Sequence, residues 1–92
     1  MAKFLTRVEL HNADAGDYQR LHEAMGARNF SRSIQDDQGT WYQLPTAEYY
    51  SFGNIQTIEV RQLAEQAVAS TGKAASIITV NYDQAMWRLT PA

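Results

Sequence analysis

The chain has no cysteine. That removes disulfide staples, thiolate zinc sites and thiol nucleophiles together. Histidine is scarce, His11 and His22 alone, so a histidine-rich metal cluster is excluded too. No apolar run approaches the ~20 residues that a membrane helix requires. The opening segment Met1 to Arg7 lacks the apolar centre of a secretory signal. These absences fit a soluble protein of the cytoplasm. A basic excess is also missing, since the formal net charge is -2. Binders of nucleic acid of any sequence usually carry strong positive charge, because phosphate neutralisation supplies their affinity. Contact with RNA would have to come from a local cluster.

What is present suffices for one domain, residues 1–92. From Lys3 to Leu10 the pattern alternates, with Phe4, Thr6, Val8 and Leu10 on one side and Leu5, Arg7 and Glu9 on the other. A period of two is a strand with one face in a core. Asp14, with Asp17 three residues on, suits a helix N-terminus, and Tyr18, Leu21, Ala24 and Met25 follow at helical spacing. Asn29 tolerates the left-handed conformation that ends many helices. Phe30 to Gln35 reads as a second strand, closed by the turn Asp36-Asp37-Gln38-Gly39. Residues 40–44 read as a short hairpin arm ended by Pro45, and 47–53 as the main third strand. Asn54 and Thr57 are candidate caps for a second helix whose buried stripe is Val60, Leu63, Ala64, Ala67 and Val68, with Gly72 just past its end. Ala75 to Tyr82 is β-branched and apolar, a fourth strand. Trp87 and Leu89 lie in a tail placed to fold back. Strand, helix, strand, strand, helix, strand is the split β-α-β order of a ferredoxin-like α+β sandwich. Two helices should cover one face of an antiparallel sheet and leave the other open.

The first strand would lie inside that sheet, and its second face carries Arg7 and Glu9, with His11 in phase beyond the end. Charges there must meet solvent, a ligand or each other. In the plainer case they form a solvated Arg–Glu cross-strand pair. In the functional case they form a row for RNA cleavage through the 2′-hydroxyl: Glu9 and His11 handling protons, Arg7 facing phosphate. Glu9 and Asp14 could instead hold a Mg²⁺ ion, although no cofactor is required. Arg28 and Arg32 can grip phosphates bidentately, while Arg28 equally suits the negative end of the first helix. Among Trp41, Tyr42, Tyr49, Tyr50 and Phe52, exposed rings, Tyr49 included, would stack on bases or seal a homodimer or partner interface. The glycine–aromatic octamer of RNA-recognition domains is absent, so a non-catalytic interaction module using the open sheet face is the rival reading.

The run Arg7-Val8-Glu9-Leu10-His11, then Asp17-Tyr18 and Leu21-His22-Glu23-Ala24-Met25, resembles the small antitoxin family typified by GhoS. The resemblance continues through Asn29-Phe30-Ser31-Arg32, Leu44-Pro45-Thr46-Ala47-Glu48-Tyr49 and Thr71-Gly72-Lys73. It is to an overall pattern covering most of the chain. It implies a ferredoxin-like fold and a sequence-selective endoribonuclease that cleaves the messenger RNA of a small membrane toxin, the logic of a type V toxin–antitoxin pair. Family members are similar in fold to the small CRISPR-associated endoribonucleases, which place an aspartate at the end of the first strand. Here Glu9 and His11 occupy that neighbourhood, a departure from a metal mechanism of that kind.

Overall fold

Alternation over residues 2–10 becomes a nine-residue strand, β1 (Ala2–Leu10), in the computed structural model, which describes residues 1–92. Phe4, Thr6, Val8 and Leu10 are buried; Arg7 and Glu9 are exposed. Helix α1 (Ala15–Gly26) starts as the acids require. The Asp17 N–H donates to Asp14 Oδ1 at 2.9 Å, and the Asp14 N–H donates back to Asp17 Oδ2 at 3.0 Å. This reciprocal box satisfies two of the donors a helix start leaves free. Its inner stripe buries Leu21 and Met25. At its far end Asn29 takes the left-handed conformation, φ 66°, and the Phe30 N–H reaches back to the Met25 carbonyl at 3.1 Å.

Strand β4 (Glu48–Gly53) and strand β5 (Ala75–Tyr82) flank β1, both antiparallel, giving the order β4-β1-β5. Helix α2 (Thr57–Ala69) packs on β1 and β5, and α1 packs beside α2. One core results, in which Phe4, Val8 and Tyr49 meet Leu21, Met25, Val60 and Ala64. Both helices therefore lie on one face. Asn54 and Thr57, expected as caps, do not cap α2. Thr57 is already helical, and the Glu59 carboxylate accepts from the Gln56 N–H at 3.1 Å.

A second correction concerns the middle of the chain. Phe30 to Gln35 is not one strand. Ser31 exchanges both backbone hydrogen bonds with Tyr50 at 2.8 Å, which touches it to the outer edge of β4 for one residue. The Ser33 N–H then bonds the Ser31 hydroxyl at 3.1 Å, a local turn that competes with the ladder. Beyond it β2 (Ser33–Gln35) pairs only with β3 (Trp41–Gln43) in a separate two-stranded sheet. The tail does fold back. Gln43 N–H donates to the Thr90 carbonyl at 2.9 Å and Ala92 N–H to the Trp41 carbonyl at 3.0 Å, while Trp87 meets Tyr42 edge-on. No helix is long and apolar enough to cross a membrane.

Candidate nucleic-acid interface

The period of two that buries Phe4 and Val8 turns Arg7 and Glu9 to the face without helices. Register sets their neighbours. Arg7 lies between Glu48 of β4 and Ile78 of β5, and Glu9 lies across from Ser76. The ladder continues one residue past β1, where the His11 N–H donates to the Ala74 carbonyl at 2.8 Å. That keeps His11 in phase with Arg7 and Glu9, and its Nε2 is hydrogen bonded to the Ser76 hydroxyl at 3.0 Å.

The plainer expectation, an Arg–Glu cross-strand pair, has its partner in place, because register sets Glu48 directly across from Arg7, but the two do not close to an ion pair. The ion pairs of the molecule are Arg20–Asp17, Arg61–Glu65 and Lys73–Asp17, and neither Arg7 nor Glu9 belongs to one. The two side chains form a ridge between shallow clefts. One, of about 290 Å³, is lined by Arg7, Glu9, Ser76, Ile77 and Ile78. The other, of about 280 Å³, lies on the β4 side against Tyr18, Thr46 and Ala47. Apolar side chains stand around the ridge on the same face: Ile78 is 62% exposed, Phe52 59% and Val80 43%. The tail roofs only the opposite end. There it walls a cleft of about 410 Å³ with Lys3, Tyr50, Tyr82 and Trp87. Lys3 Nζ sits 5.2 Å from the Tyr82 ring centre and donates to the Asp83 carbonyl at 3.2 Å. Burial pushes the hydroxyls of Tyr50 and Tyr82 up from their ordinary pKa, so both stay protonated donors.

Three expected contacts lie elsewhere. Tyr49 is a correction: it is fully buried on the helix side, because its register opposite Thr6 puts it in phase with the core, and no base can reach it. Its hydroxyl lies 2.7 Å from His22 Nδ1. Burial raises the Tyr49 hydroxyl above the ordinary tyrosine range, opposed by the charge of Arg32, and burial with the same Arg32 charge lowers His22. A neutral phenol against a neutral imidazole is what both directions favour, with the O–H donating when the ring proton is on Nε2. Arg32 is exposed but stands near this pair rather than with Arg7. Arg28 donates to the Ala24 carbonyl at 2.9 Å, the helix-end role.

Asp14 accepts from the Asp17 N–H, and no three acidic or histidine side chains come together in a geometry that holds a metal ion. Asp17 is spent within the fold as well. The Asp14 N–H, against the cost of burial, holds its carboxyl below the ordinary range, helped by the charges of Lys73 and Arg20. Sequence reasoning missed Ser76 and Ile78 as neighbours of the Arg7 row. The alternation of β5 marks them as outward, but only the pairing register sets them beside Glu9 and Arg7.

Comparison with known proteins finds no family model that matches the sequence and no curated protein that matches it.

Proposed function

We propose that the chain is a GhoS-like antitoxin: a cytoplasmic RNA-binding endoribonuclease that cleaves a toxin messenger RNA across the open face of its sheet. The observation that carries this reading is the exposed Arg7–Glu9 ridge, outside the close ion pairs of the molecule, with His11 in phase beside Ser76, on a face the helices leave bare. The ferredoxin-like fold implied by the resemblance belongs to the same proposal. It is supported by the order β4-β1-β5 with Ser31 at the margin of β4, the β2–β3 hairpin counting as an added arm.

In this reading a phosphodiester lies over the ridge. Either Glu9 or His11 takes the proton of the 2′-hydroxyl, whose oxygen then attacks phosphorus. The other group gives a proton to the departing 5′-oxygen, leaving a 2′,3′-cyclic phosphate and a free 5′-hydroxyl. Arg7 faces the charge that develops on the phosphoryl oxygens. Nothing in this sequence of events requires Mg²⁺. Of the other arginines expected to touch RNA, Arg32 remains available to a strand that wraps past the hairpin, whereas Arg28 is held at its helix end.

The test is incubation of purified protein with total cellular RNA, with and without EDTA, followed by mapping of new 5′ ends. The expected result is a restricted set of cuts that EDTA does not abolish. Intact RNA in both arms overturns the enzymatic reading. That outcome would favour the second one, in which the face docks a protein surface without chemistry, as the exposed Phe52, Ile78 and Val80 permit.

A further inference from the structure

We propose that the outer edge of β5 pairs antiparallel with β5 of a second copy of this chain, with Ile78 on the two-fold axis. The surface differs from the Arg7 ridge, and the proposal does not rest on the RNA reading.

The edge is defined by the backbone. The His11 N–H bonds the Ala74 carbonyl and the ladder with β1 is continuous from there, so even-numbered residues of β5 turn their N–H and C=O groups toward β1. Ala75, Ile77, Thr79 and Asn81 consequently turn theirs outward, where no strand of this chain pairs with them. The other margin of the sheet differs, because Ser31 occupies part of β4's outer side. β5 also lacks the usual protections of an edge: across Ala75–Tyr82 there is no charge, no proline and no break in register.

Charge selects the occupant and its direction. The uncharged strand is bracketed by Lys73 before it and Asp83 after it. A parallel copy sets like charges side by side; an antiparallel copy sets each Lys73 near the other copy's Asp83. Asp83 has no ion-pair partner within the chain, and Lys73 has only Asp17, at 3.8 Å. One register satisfies everything at once. Ala75 faces Asn81, Ile77 faces Thr79, Ile78 faces its own counterpart and Lys73 faces Asp83. All four outward residues are then bonded. Slipping by one residue sends Ile78 against the helix-side positions. Slipping by two moves Lys73 off Asp83 and strands an outward residue on each copy. The pairing lies in the plane of the sheet, so both Arg7 ridges stay open, and each copy's Ile78 adds a wall to the other's cleft beside Arg7 and Glu9.

Sedimentation or light scattering on the intact chain should give twice the 10.4 kDa chain mass. Ile78→Lys should halve that mass with an unchanged circular dichroism spectrum, since Ile78 is exposed in the single chain. Ile78→Cys supplies the only thiol of the molecule. At a non-hydrogen-bonded pair the Cα atoms lie about 4.5 Å apart, inside the roughly 4.4–6.8 Å that a disulfide spans, so oxidation should cross-link the copies. A monomeric mass at the highest soluble concentration, a dimer that survives Ile78→Lys, or an Ile78→Cys chain that does not cross-link overturns the proposal. RNA cleavage is read separately and bears on neither result.

Discussion

Arg7 and Glu9 are accessible because one residue in two along β1 must face away from the core, and both are free because no counter-charge lies within ion-pair distance. Under the proposed chemistry, Glu9→Gln and His11→Ala should each lower cleavage by roughly 10²–10⁴-fold, with circular dichroism unchanged, as measured on a cognate transcript under single turnover. The pair His22–Tyr49 answers to pH instead. Burial, then Arg32, holds His22 below its ordinary value of 6.5, so the unfolded chain takes up a proton that the folded one refuses. This contribution to stability is whole above that value and is lost as pH falls through it toward the lower folded one. Urea midpoints taken between about pH 7.5 and 5 should fall for the native chain and fall less for His22→Gln. The outward row was legible in the sequence because it needs only the period of β1. Tyr49 was not, since Tyr49 and Tyr50 are both aromatic and only the register Thr6↔Tyr49 decides which of them enters the core.

The two helices and the strands β1 and β5 were readable because their periodicities are local, as is the Asp14–Asp17 cap of α1. The bend at Ser31–Ser33 was not, because serine suits a strand or a turn and the choice falls to a hydroxyl–backbone bond. The reciprocal box at α1 gives a direct check. Asp14→Ala removes the acceptor for the Asp17 N–H and should cost about 1 kcal/mol, a fall in melting temperature of about 4–8 °C by calorimetry. The hairpin of β2 and β3 depends on the returning tail. Trp87→Ala removes the ring against Tyr42, and amide exchange at Gln43 and Ala92 should accelerate while exchange within β1 does not change.

Across the whole molecule the charge balance is slightly acidic, at -2, so under the proposed function affinity for RNA has to come from local cations such as Arg7. Arg7→Ala should weaken binding to every transcript and reduce the slope of log affinity against log salt by about 1, measurable by fluorescence anisotropy over a salt series. The order β4-β1-β5 carries one more consequence, for biosynthesis. The strand made first is the middle of the sheet, and its two partners come from residues 48–53 and 75–82. While α2 is still being added, β1 lacks its β5 partner, and the side of the strand that carries Phe4, Val8 and Leu10 stays wet. Closure of the sheet is therefore a late, long-range event, and a nascent chain stalled before Ala75 should be bound by chaperones and cut by protease where the released chain resists both.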